Sequence, residues 1–282
     1  MGTIDYDASR TALYQGGAHP TVFLPTGPTP SLDALCAECA RLAYRRFELG
    51  AAESNRLVAD LARVGLTDFE AFGSWSTGTR AFAVRLPGER RALIAFRGTE
   101  PDDVTDLGTD LEFSLTKWDG AARVHAGFLG AFESVADAIS RWRDTHAPLP
   151  PVVTGHSLGA ALATLAASRW HAARLVSFGS PRVGNPAFAA TIPAPAQMRY
   201  VNCCDVVTEL PPEIPDLYEH AGPMRYIDRL GRVEADWSID KIASDRAKAR
   251  AEYLGEYAWR FGNVLFRDLA DHAPINYVRA FF

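Results

Sequence analysis

Gly155-His156-Ser157-Leu158-Gly159 constrains this 282-residue chain more than any other stretch, because of what flanks it. Pro151-Val152-Val153-Thr154 before it is a short β-branched run that reads as a buried strand. Ala160-Ala161-Leu162-Ala163-Thr164-Leu165-Ala166-Ala167 after it is a strong helix former. A serine between the two sits on a sharp strand-to-helix turn, with strained backbone angles and an exposed hydroxyl. The flanking glycines leave room for that turn. The helix aims its first free N–H groups and its positive dipole end at the place where an oxyanion would form. G-x-S-x-G alone is a weak pattern, and its strand and helix context makes Ser157 a candidate nucleophile.

The rest of the chain alternates strand and helix signals. Residues 1–30 are rich in Gly, Pro and Thr and read as an irregular arm packed on the domain. Ser31 can N-cap a helix whose apolar stripe is Leu32, Leu35, Cys36, Cys39, Leu42 and Ala43, and a second helix runs near Asn55–Val64. Strand signals follow at Phe69–Trp75, Arg80–Leu86 and Ala92–Phe96, the last two joined by a Pro87-Gly88 turn. Phe128, Phe132, Val135, Ile139 and Trp142 recur at intervals of three and four, which marks an amphipathic helix. Arg174–Phe178 and Met198–Cys203 are further strands, and Met224–Ile227 with Arg232–Glu234 forms a hairpin around Gly231. A charged helix over Ile239–Phe261 precedes the segment holding His272. This alternation predicts an α/β fold in one domain, a mostly parallel central sheet covered by helices.

A net charge of −5 disfavours nucleic acid and anionic membrane surfaces as partners, and no apolar run reaches the ~18–20 residues of a membrane span. The first residues carry acids where a signal peptide carries lysines, so the chain as written reads as cytoplasmic; a leader already removed would look the same. Cys203 and Cys204 are adjacent on a predicted strand, with side chains on opposite faces, and Cys36 and Cys39 share a helix face. All four read as buried small hydrophobes, with no Cys or His partners at zinc spacing.

A serine needs a base to take its proton, and the base needs a carboxylate to orient it. In the chain order of hydrolases of this kind, serine precedes acid and acid precedes histidine, which leaves His171, His220 and His272. His171 ends the serine's own helix and cannot fold back. His220 lies just before a strand and suits a structural role, whereas His272 lies in a loop able to return to the sheet edge. Asp205, at the end of an apolar strand, leads the acids over Asp271 and Glu209. Leu158 N–H supplies one oxyanion donor, and the loop Phe96-Arg97-Gly98-Thr99-Glu100 offers the other through Thr99.

Together these residues resemble the class 3, or fungal-type, lipase family of α/β-hydrolases. The resemblance rests on Phe96–Thr99, Val124–Phe128, Thr154–Gly159, Phe178–Gly184, Tyr200–Asp205 and Asp271-His272, in the family's order over roughly residues 30–282. It implies an α/β-hydrolase fold with Ser157 as nucleophile, Asp205 as acid, His272 as base, and Thr99 with Leu158 as oxyanion hole. His125, Arg182 and His220 are then scaffold. It further implies hydrolysis of acylglycerol-like or other lipid esters, with no cofactor and no metal. Phospholipase A or feruloyl-type esterase action uses the same triad, and a catalytically silent interaction module of the same fold is the remaining alternative. The family's lid corresponds to residues 101–119. Val104, Leu107, Leu111 and Trp118 recur there at helical spacing, as a face that covers an apolar groove, against six carboxylates and one Lys117.

Overall fold

Val152 and Val153 point to opposite faces of one strand, and each face is covered by helices. This is the arrangement that a continuous β-branched run requires. The computed structural model describes residues 4–26, 28–98 and 114–282. Among them an eight-stranded sheet runs in the order β1-β2-β3-β6-β7-β8-β9-β10. Its strands are β1 (Thr67–Gly73), β2 (Arg80–Arg85), β3 (Arg91–Phe96), β6 (Leu149–His156), β7 (Arg174–Phe178), β8 (Gln197–Asn202), β9 (Met224–Ile227) and β10 (Val233–Glu234). Neighbours from β3 through β9 pair parallel, and the outer pairs at both edges are antiparallel.

One face carries α2 (Leu32–Leu42), whose Leu35, Cys36, Cys39 and Leu42 pack on Phe82, Leu93, Val152 and Val176. Ser31 caps this helix by accepting from Ala34 N–H. The other face carries α4 (Ala126–His146) and α5 (Leu158–Trp170), with Phe128, Phe132, Val135, Ile139 and Trp142 buried against Ile94, Phe96 and Val153. Each such aromatic or branched side chain contributes about 1.5–3 kcal/mol on burial. α3 (Ala51–Ala62) precedes β1, and the short α6 (Pro186–Ala189) lies between β7 and β8. No described helix is long and apolar enough to cross a membrane.

Several elements depart from the sequence reading. The arm holds a short helix, α1 (Arg10–Tyr14), capped by Ser9, and is tied down by Arg10 N–H to Gly262 O and Val264 N–H to Ala8 O, both 2.8 Å. Residues 114–119 are not the end of a lid helix. Instead β4 (Leu115–Lys117) pairs with β5 (Arg123–His125) in a separate hairpin, and Trp118 donates to Ser168 Oγ on α5. The remainder of the proposed lid, with Val104, Leu107 and Leu111, lies outside the described residues, as does Thr99. α7 (Ile239–Glu256) stops short of Phe261, because Ala258 N–H turns back to the carbonyl of Tyr253. Two four- and five-residue helices, α8 (Arg267–Ala270) and α9 (Pro274–Val278), bracket His272.

Candidate active site

β6 delivers Ser157 to the C-terminal edge of the sheet, where the chain reverses into α5. Ser157 has φ 58° and ψ −129°, a strained conformation that a non-glycine residue holds only when its surroundings enforce it. Its N–H is anchored to Phe178 O on the neighbouring strand at 3.0 Å. Both glycines of the motif are there for close approach. A methyl on Gly155 would stand 2.2 Å from Gly159 O, and one on Gly159 would stand 2.2 Å from Phe96 O. Leu158 begins α5, so its N–H is among the helix donors without an intrahelical acceptor. Ser157 itself is only 1% exposed, not open to solvent as the turn alone suggested.

Asp205 arrives by a different route from the one the sequence suggested. β8 ends at Asn202, and Cys203 and Cys204 form a turn, Cys203 with φ 32°, instead of continuing the strand. Their sulfurs therefore lie 3.7 Å apart and not on opposite faces, and all four cysteines are free and buried. The turn places Asp205, fully buried, where Oδ1 accepts Val207 N–H at 2.9 Å. His272 Nδ1 lies 2.8 and 2.9 Å from the two carboxylate oxygens and donates to them. A neutral imidazole with its proton on Nδ1 leaves Nε2 as an acceptor. Tyr277, on α9, donates to Asp205 Oδ2 at 2.5 Å and accepts from Asn202 N–H. Burial and the Asp205 charge hold the Tyr277 pKa well above its usual value, so the hydroxyl keeps its proton.

Ser157 Oγ and His272 Nε2 are both buried, and among the described residues neither has a hydrogen-bond partner. The structure thus holds no closed bond between the serine and the histidine, a looseness common before substrate arrives. His156, next to Ser157, has its ring centroid 4.5 Å from that of His272.

The competing candidates have other partners. Asp271 accepts from Cys204 N–H at 2.9 Å, Arg267 Nε at 3.1 Å and Tyr6 OH at 2.9 Å. Burial raises its pKa, and these three partners pull the other way. It straps the His272 loop to the Asp205 turn but does not face the imidazole. The same bonds occupy the carboxylate of the cluster Cys203, Cys204 and Asp271, which therefore does not fit a metal centre. Glu209 pairs with Arg246 at 2.6 Å. His220 Nε2 donates to Thr208 O at 2.8 Å, His171 forms the left-handed cap of α5, and His125 caps α4 by accepting from Phe128 N–H. Arg182 donates to the carbonyls of Glu209 and Pro211. Tyr277 escaped the sequence reading because a tyrosine among Ile275, Val278 and Phe281 reads as core.

Residues 93–214 match the family described as lipase (class 3). Secreted mono- and diacylglycerol lipase 1 of Fusarium solani is 33% identical over 178 residues, covering 59% of this chain and 52% of that protein. The triacylglyceride lipase of Rhizomucor miehei has a TM-score of 0.55 at 27% identity, covering 69% of this chain and 77% of that one. The lipase from Rhizopus microsporus var. chinensis also has a TM-score of 0.55 at 27% identity, covering 74% of this chain and 81% of that one. The chain spans about half the length, or less, of the curated relatives it matches. Sequence match and shared architecture agree: the chain has the α/β-hydrolase fold of these lipases, and its residues 93–214 are similar to the class 3 lipase family.

Proposed function

We propose that this protein is a serine carboxylic-ester hydrolase that cleaves acylglycerol-like lipid esters through an acyl-enzyme on Ser157. The observation that carries the reading is the buried Asp205–His272 pair, 2.8 Å apart, beside a serine held at φ 58°. Asp205 fixes the imidazole with its proton on Nδ1, so Nε2 takes the hydroxyl proton as Ser157 Oγ attacks the ester carbonyl carbon. The oxyanion receives the Leu158 N–H and, from the loop after β3, the donors of Thr99. Collapse expels the alcohol, which takes the proton from His272. Water then gives a proton to His272 and attacks the acyl carbon; the proton returns to Ser157 Oγ as the fatty acid leaves. Val104, Leu107 and Leu111 are proposed to cover the acyl groove. The lipid class is supported by the names of the relatives, one a mono- and diacylglycerol lipase and one a triacylglyceride lipase.

The test is hydrolysis of p-nitrophenyl esters of increasing acyl length and of diacylglycerol emulsions, with phosphatidylcholine and feruloyl esters as comparison substrates. Acylglycerols should be turned over fastest, and Ser157→Ala should lower kcat about 10⁴–10⁶-fold while keeping the fold. A folded Ser157→Ala variant with more than a tenth of the parent activity would refute the nucleophile assignment.

A further inference from the structure

The hydroxyl of Tyr44 meets both segments that lead to the reacting groups. Tyr44 follows α2, with its N–H bonded to Arg41 O at the helix end. The arm packs on the ring from one side: a methyl on Gly16 would stand 3.3 Å from Tyr44 Cγ. That packing fixes where the hydroxyl points. It lies 2.8 Å from His156 Nδ1, the side chain immediately before Ser157. It also rests on the main chain of Gly98, where a methyl would stand 2.0 Å from the hydroxyl and 2.7 Å from His156 O. Gly98 immediately precedes Thr99. One oxygen atom therefore touches the β6–α5 turn and the loop after β3, the two segments from which the oxyanion donors are drawn.

His156 is suited to transmit that contact. It is 2% exposed, and burial first, then the neighbouring His272, push its pKa well below the usual histidine value. A neutral imidazole offers one donor and one acceptor nitrogen, and a tyrosine hydroxyl meets Nδ1 in either role. The ring therefore stays uncharged beside His272, and the Tyr44 contact sets its orientation.

On the hydrolase reading above, we propose that Tyr44 is a positioning residue. Its hydroxyl clamps Gly98 to His156 and so holds the spacing between the oxyanion loop and the serine turn. Small misplacements of oxyanion donors are costly because such bonds matter most when charge sits on oxygen. The expected signature is a loss in kcat, not in substrate binding.

The experiment compares the parent protein, Tyr44→Phe, Gly98→Ala and the double variant on a soluble p-nitrophenyl ester, with thermal midpoints alongside. Tyr44→Phe keeps the ring packing and should lower kcat about 10- to 100-fold with KM within about twofold. Gly98→Ala drives a methyl into the hydroxyl and should also lower kcat. In the double variant the 2.0 Å clash with the hydroxyl is gone and the 2.7 Å approach to His156 O remains, so the two losses should be less than multiplicative. A folded Tyr44→Phe with unchanged kcat, or with a loss confined to KM or thermal midpoint, would overturn the proposal. Should Gly98→Ala fail to fold, the Tyr44→Phe split decides alone. A parent protein inactive on every ester would instead overturn the hydrolase reading, and this assignment with it.

Discussion

Tyr277, five residues after His272, donates to Asp205 Oδ2, the same carboxylate that orients the imidazole. The carboxylate therefore has its lone pairs divided among His272, Tyr277 and the Val207 N–H. With these three contacts fixed, the imidazole can approach along one direction.

Tyr277→Phe removes the hydroxyl and leaves a buried carboxylate oxygen and the Asn202 N–H each one bond short. Such groups cost about 1–3 kcal/mol when unsatisfied. The variant should therefore lose stability by that order in urea denaturation. Its kcat should also fall, by roughly tenfold, at nearly constant KM, since the imidazole would be held less firmly. An unchanged denaturation midpoint together with unchanged kcat would mean that the hydroxyl contributes neither packing nor orientation.

Asp205 and Asp271 are both buried carboxylates near His272, and they should fail in different ways. Asp205→Asn disturbs the imidazole tautomer and should lower kcat by about 10⁴. Asp271→Asn leaves Arg267, itself only 6% exposed, without its carboxylate partner. Breaking a buried ion pair in this way costs about 3–5 kcal/mol, so that variant should lose stability far more than turnover. Kinetics and urea midpoints on the same two preparations separate the cases. A crippled kcat in a stable Asp271→Asn would reassign the acid.

Much of the scaffold is legible in residue pattern because local physics determines it. Val152 and Val153 can only be a strand buried on both faces, and the α4 stripe from Phe128 to Trp142 has helical spacing over four turns. Chain order leaves three histidines after Ser157, predicted position favours His272 and Asp205, and the structure brings these two side chains to 2.8 Å. What escaped notice depends on tertiary context. Cys203 and Cys204 continue an apolar run but turn, with Cys203 at φ 32° and the turn closed by Asp205 N–H to Asn202 O at 2.8 Å. Leu115–Lys117 follows acidic residues at helical spacing, and its pairing with Arg123–His125 shows only once the chain has reversed. Tyr44 lies 112 residues before His156, and no sequence pattern links them.

Two histidines outside the proposed proton transfer set an acid limit on stability. Burial, then the neighbouring His272, lowers the His156 pKa well below the ordinary value of 6.5. Burial, then Arg199 and Arg182, does the same for His220, while its bond to Thr208 O pulls the other way. The folded protein thus keeps both rings neutral, whereas the unfolded chain binds protons once the pH drops below about 6.5. Stability is fully present above that value and is lost as the pH falls from it towards the folded-state pKa values. The slope approaches about 1.4 kcal/mol per pH unit for each histidine. Urea midpoints measured from about pH 8 down to about pH 5 should fall on the acid side. His220→Gln keeps a donor for Thr208 O but does not titrate, so its decline below about pH 6.5 should be shallower than the parent's. A His220→Gln protein whose midpoint falls as steeply as the parent's would show that His220 does not contribute to the acid limit.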